Sequence, residues 1–180
     1  MIYYIAQIFG IIGLLVMVIG LFQKKREKML YYFMLNGVFF GVEYLLLRAY
    51  SGMLSNIFGI FRTICSNKKE KDERLNKWYV LAFFMIGYLI IGIITFDGKG
   101  ISFLPIVAEL IYVLSLWQNK VKKIKIGTLI MVVLWFIYDI IVKAYPSAIT
   151  DVIVFTSTLL SLITNEIIPY FKKRGLYHAN

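Results

Sequence analysis

Four carboxyl groups and one guanidinium stand where an apolar chain has no ordinary use for charge. Glu43, Glu109, Asp139 and Asp151 fall within runs of hydrophobic residues, and Arg62 lies near the basic end of another. On an insertion scale, a charge at the centre of a membrane helix costs about 2.5–3.5 kcal/mol. Four acids facing lipid would therefore cost roughly 10–14 kcal/mol together. They are expected to face the interior of a bundle or a wet cavity, where a carboxyl can attract a cation, carry a proton or accept a hydrogen bond.

Helical spacing gives these groups partners. Trp135 and Asp139 are i, i+4 and share a face, as do Asn36, Phe40 and Glu43 at i, i+4, i+7. Asn56 and Asp151 are each followed seven residues later by a threonine, Thr63 or Thr158. Two aromatic faces and two polar stripes would suit a small polar solute. Asn56 and Asp151 would hydrogen-bond it, and Phe40 and Trp135 would stack on it. Glu43, Glu109 or Asp139 would attract a cation or hold a coupled proton, and Arg62 would be an inner gate or anion contact. A plainer reading stands beside this one. Asp139 and Asp151 would reach the outer interface, Glu43 would pair with Arg48, and the rest would cement helices by hydrogen bonds. Arg62 would then extend to cytoplasmic headgroups.

Other chemistry is excluded by what the chain lacks. Its one histidine, His178, sits in a polar tail, and its one cysteine, Cys65, can form no intrachain disulfide. No Ser-His or Cys-His pair can form inside the apolar region, and no Cys/His metal cluster exists. Asp97-Gly-Lys-Gly has no strand-to-helix context for cradling phosphate. Neither an enzyme nor a bound cofactor or metal is expected.

The elements that position these residues follow from composition. Hydrophobic residues make up 60% of the 180 positions, mean hydropathy is +0.76 and net charge is +10. Soluble domains sit near 45–50% apolar. The basic residues form short clusters between apolar runs rather than one patch, which favours a membrane and excludes nucleic acid as a partner. Apolar runs fall at 2–22, 29–49, 51–65, 78–97, 101–118, 126–145 and 148–167, and about 20 residues cross a bilayer core. The clusters at 23–28, 66–77, 119–125 and 172–174 alternate with turns that carry little charge. By the positive-inside rule, seven crossings put the N-terminus outside and the C-terminus in the cytoplasm. Tyr3, Tyr4, Tyr31, Tyr32, Tyr50, Trp78, Tyr79, Trp117, Tyr145 and Tyr170 lie at segment ends, where rings rest among headgroups. The basic loops are expected to contact membrane lipids.

A shift of 95 residues lays the chain over itself. "GLFQKKREK" (20–28) falls on "SLWQNKVKK" (115–123), and "LRAYSGMLSN" (47–56) on "VKAYPSAITD" (142–151). The reading is an all-α membrane protein of seven helices arranged as a parallel 3+1+3 repeat. Residues 2–65 form repeat one, 66–97 a cytoplasmic loop and linker helix, 101–167 repeat two, and 168–180 a cytoplasmic tail, all within one membrane domain spanning 1–180. Gly37 and Gly41 form a GxxxG that permits close packing or a homo-oligomer. Pro105 is expected to act as a hinge or static kink in the fifth helix.

The run "LLLRAYSGMLSNIFGIFRT" (45–63), the Q-x-x-G of Gln7 and Gly10, and "LPIVAELIYVLSLW" (104–117) resemble the YgjV family of bacterial inner-membrane proteins. The most specific element is Ser55, Asn56, Arg62 and Thr63. The resemblance implies a bacterial inner-membrane location. More distantly, the layout is similar to SWEET sugar carriers and PnuC vitamin-precursor carriers. In SWEETs, an asparagine in the third helix of each repeat lines the site. Asn56 matches one by position, and Asp151 replaces the other. The function expected is a small-solute transporter working by alternating access, for a polar or cationic metabolite, a sugar or a vitamin precursor, with or without a coupled proton. The alternative is a non-transporting membrane scaffold or accessory subunit.

Overall fold

In the computed structural model, the described residues are 1–23, 25–68, 72–118 and 120–168. Lys24, part of the 66–77 loop, the 172–174 cluster, Tyr170, His178 and nearly all of the expected tail lie outside them. Among the described residues there are seven α-helices: α1 (Ile2–Leu21), α2 (Arg26–Leu46), α3 (Tyr50–Lys68), α4 (Trp78–Ile94), α5 (Leu104–Leu116), α6 (Val121–Val142) and α7 (Tyr145–Leu162). Among the described residues, three stretches are long and apolar enough to cross a membrane: Ile2–Leu21, Val121–Val142 and Tyr145–Asn165.

Helix ends follow local chemistry. The α2–α3 and α6–α7 turns share one geometry. Arg48 (φ 58°) and Lys143 (φ 63°) take the left-handed conformation. The next amide returns to the helix, Ala49 N–H to Tyr44 O and Ala144 N–H to Asp139 O, both at 2.8 Å. These αL bonds satisfy carbonyls that a helix end leaves open. The turns therefore fall two or three residues earlier than the hydrophobic pattern predicts. The third helix runs 19 residues rather than 15, continuing through Tyr50 at its start and Ser66, Asn67 and Lys68 at its end. The shortest is α5, at 13 residues. Pro105 is not a hinge within it: the ring sits in the first turn, where no amide donor is needed. A 3₁₀ turn, Gly100–Phe103, leads into α5. Before that turn, Asp97 accepts hydrogen bonds from the Ser102 hydroxyl and the Lys99 amide. These two bonds hold its carboxyl below the usual carboxylate range.

Packing starts from small residues. The buried face of α1 is Ala6, Gly10, Gly13, Met17 and Gly20, one stripe at helical spacing, and it lets α2 approach closely. The outward residues of α1, including Ile8, Ile11 and Leu15, are exposed. Surface leucine and isoleucine on this scale suit lipid rather than water. The helices pack as α1 on α2, α2 on α3, α5 on α6 and α6 on α7. The two ends of this series meet where α1 touches α7 and α3 touches α5, and α4 lies against α3 and α5. One apolar cluster holds Phe40, Tyr44, Trp135 and Tyr138 at the centre. A second, around Phe84, Tyr88, Ile106 and Val113, fixes α4 to its neighbours.

Candidate functional site

Inward-turned acids, the centre of the sequence reading, are found at three positions close to full burial. Glu43 is 0%, Asp139 1% and Glu109 5% exposed. Glu43 sits under α1 and does not meet Arg48. Its carboxyl occupies the space a side chain at residue 10 would need, a Cβ on Gly10 falling 2.5 Å from it. The Ser147 hydroxyl donates to Glu43 Oε2 at 2.6 Å, joining α7 to α2. From the next residue of α2, the Tyr44 hydroxyl donates to Asp139 Oδ1 at 2.8 Å and joins α2 to α6. A third bridge joins α6 to α3: the Gly52 amide donates to the Tyr138 oxygen at 3.1 Å, and Ser51 Oγ lies 2.9 Å from that oxygen. The Gln7 side-chain amide adds α1 to the Lys143 carbonyl at 2.8 Å. These bridges all lie toward the end of the bundle carrying the Arg48 and Lys143 turns.

Arg62 departs from the headgroup reading. It is 6% exposed and ion-paired with Glu109, so the guanidinium turns into the bundle rather than along it. Arg62 Nη1 donates to the Tyr88 hydroxyl at 3.0 Å, and its Cζ lies 4.5 Å from the Tyr112 ring centroid. The indole N–H of Trp135 donates to Glu109 Oε1 at 3.2 Å. A buried ion pair survives desolvation only with such supplementary bonds, and this one joins α3, α4, α5 and α6.

Between the three bridges and this ion pair lies a cavity of about 260 Å³. Seven of the eight residues proposed from sequence line it: Asn56, Asp151, Trp135, Phe40, Asp139, Glu109 and Arg62. Glu43 does not; it sits behind the wall, bonded to the lining residue Ser147. Thr63 reaches the wall as well, its hydroxyl returned to the Gly59 carbonyl at 2.8 Å. At ~30 Å³ per water the space would hold about nine waters, or one small metabolite. The carboxyls of Asp139 and Asp151 stand against one another, and Asp151 Oδ2 is buried without a hydrogen-bond partner. The wall brings Asp139, Asp151 and Glu109 together against one guanidinium, so the formal charge of the lining is negative. The Trp135 ring lies against Tyr44 and Tyr138, with centroids 5.7 and 5.9 Å away. Among the described residues no group of His, Cys, Asp and Glu has the arrangement of a metal site.

Sequence reading missed the tyrosines and serines that complete these bonds: Tyr44, Tyr88, Tyr112, Tyr138, Ser51 and Ser147. One signal was present. Tyr44 and Asp139 are 95 residues apart, so the internal shift lays each on the other.

Compared with known proteins, the chain matches, over residues 4–166, the family described as "Imp-YgjV: Bacterial inner membrane protein". No curated protein and no solved structure matches it.

Proposed function

Starting from the premise that the chain belongs to the Imp-YgjV family of bacterial inner membrane proteins, we propose that it is a multi-pass carrier of a small polar or cationic solute, working by alternating access. The observation that carries this reading is the single cavity into which α2, α3, α5, α6 and α7 bring distant polar residues. Three carboxyls and one guanidinium on its wall suit a solute that brings positive charge, with a coupled proton as an alternative source of that charge.

A 3+1+3 layout is supported by details that recur at the 95-residue shift. Arg48 and Lys143 share their left-handed turn, and Ala49 and Ala144 share their return bond. Gln23 and Gln118 both donate their amides to a carbonyl three residues back, at 3.1 Å. Exchanging α1–α3 with α5–α7 turns the α1–α7 contact into the α5–α3 contact, and both exist. On this reading α4 is the linker. The N-terminus lies outside and the C-terminus in the cytoplasm, as the basic clusters require. The buried bridges of Tyr44, Glu43 and Tyr138 then close the outer end. Toward the basic end the cavity is lined by half-buried Phe33, Met34 and Thr63, which supports reading the conformation as inward-open.

The test is uptake by the purified chain in proteoliposomes, across a panel of small neutral, anionic and cationic metabolites, with and without a proton gradient. A cationic or polar member should accumulate, and Asn56→Ala and Asp151→Ala should each lower uptake about tenfold or more, the effect of losing a hydrogen bond to a charged group. Flux unchanged in both variants removes the proposed site. The scaffold reading draws on the same interhelical bonds. It predicts no flux for any panel member and a loss of thermal stability alone.

A further inference from the structure

A second opening adjoins the central cavity. Where α6 and α7 face the bilayer, a groove of about 210 Å³ is lined by Val132, Val133, Phe136, Asp151, Val152 and Phe155. Every lining residue but one is apolar. The exception, Asp151, also lines the central cavity, as does Val132, so these two side chains form the partition between groove and cavity. Phe136, Val133 and Val152 are all exposed on the outer surface of the bundle.

The corresponding seam on the other half is built from smaller residues. Under the 95-residue shift, Val132 and Phe136 take the places of Gly37 and Gly41. The two glycines let α3 sit close to α2: a Cβ at Gly37 would lie 3.1 Å from Ile60 and 3.2 Å from Asn56, and one at Gly41 would lie 3.5 Å from Ile57. On α6 the corresponding positions are bulkier, and both of their side chains line the groove. Asp151 meanwhile stands where the other seam has a neutral asparagine.

We propose that this groove is a lateral portal and binding site for an amphiphilic cation, an ammonium group on an apolar tail, which enters from the bilayer and pairs with Asp151. The tail lies among Val133, Val152 and the two phenylalanine rings. The ammonium donates to Asp151 Oδ2, a buried carboxyl oxygen that faces the Asp139 carboxyl and has no hydroxyl or amide donor. The phenylalanine faces add cation–π attraction near the entrance. A zwitterionic phospholipid does not fit this chemistry. Its phosphate would be drawn against the carboxyls of Asp151 and Asp139, and its headgroup belongs at the interface. Asp151 lies six residues into α7, about 9 Å below its outer end. The proposal deepens the carrier reading, on which it rests, by naming the solute class and its route.

The experiment is equilibrium binding of radiolabelled dodecylamine to the full chain in phosphatidylcholine nanodiscs, corrected with empty discs. Saturable binding is expected, displaced by excess unlabelled dodecylamine but not by dodecanol, its neutral counterpart. Asp151→Asn, which keeps the shape and removes the charge, should weaken binding about tenfold. Val152→Trp fills the groove from its lipid-facing side and leaves the carboxyl in place; it should weaken binding to a similar extent. Undiminished binding in Val152→Trp overturns the portal, as does equal displacement by dodecanol or the lack of a saturable component in the parent chain. Because binding needs no gradient, the two proposals fail differently. Binding without flux of any solute refutes the carrier, whereas flux that survives with dodecylamine binding indifferent to Val152→Trp refutes the portal.

Discussion

Removing Arg62 should do far more damage than removing Arg62 and Glu109 together. The guanidinium is 6% exposed and its partner 5%, so neither can recover hydration when the other is lost. Arg62→Met deletes the ion pair, the bond to the Tyr88 hydroxyl and the contact with the Tyr112 ring. It leaves the Glu109 carboxylate with the Trp135 indole as its remaining hydrogen-bond donor. Breaking a buried pair in this way costs about 3–5 kcal/mol. Glu109→Leu strands the cation in the same manner, at a similar ~3–5 kcal/mol. If the two effects were independent, the double variant would lose about 6–10 kcal/mol, comparable with the whole stability of a domain. With the pair formed, the double variant exchanges two mutually compensating charges for two apolar side chains, and should lie within about 2 kcal/mol of the parent. Reversible unfolding in mixed micelles, followed by tryptophan fluorescence, measures all four corners of the cycle. Arg62→Lys supplies a milder point, since it keeps the charge and loses the planar fork. A double variant as unstable as the sum of the singles would refute the pairing. So would an Arg62→Met protein as stable as the parent, which is the outcome expected for an arginine in the headgroups.

Two further expectations come from the end of the bundle that carries the Arg48 and Lys143 turns. Gly10→Ala forces a methyl group into the Glu43 carboxyl, which Ser147 holds in place, and should cost about 1–3 kcal/mol. That corresponds to a melting-temperature loss of roughly 2–12 °C, partly recovered by Glu43→Asp, while Gly100→Ala, with nothing within 4 Å, should leave melting unchanged. Asp97 has a carboxyl pKa below its ordinary 3.8 because Ser102 and Lys99 donate to the charged form. Its contribution is therefore complete above that ordinary value and lost as pH falls through the lower folded one. An NMR titration should place the Asp97 midpoint below 3.8 in the parent and higher in Ser102→Ala, and an unshifted parent midpoint would contradict the capping bonds.

The inward orientation of the acids was legible because it rests on an energy that any arrangement must respect. A carboxyl on an apolar helix has to find polar company, so Glu43, Glu109 and Asp139 were expected inside before any helix was placed against another. The positions of the helices were legible to within a few residues for a similar reason, since apolar runs and basic interruptions set where a chain can enter and leave a bilayer. Arg62 shows where this reasoning stops. A long cationic side chain near a basic helix end satisfies itself equally well in headgroups or in a buried pair. The choice depended on Glu109 arriving from a helix 47 residues further along the chain.

The sequence by itself determined that this is a helical chain suited to a membrane, and which of its residues are too polar to face lipid. Transfer free energy is a property of each residue and its near neighbours, and it survives without a fold. Only the tertiary structure decided which polar group meets which: Glu43 with Ser147, Tyr44 with Asp139, and Arg62 with Glu109 beneath Trp135. The groove beside Asp151 is of the same kind. Val132 and Phe136 line it at the positions that Gly37 and Gly41 hold on α2, and a gap between two helices is a property of the pair that neither segment carries alone.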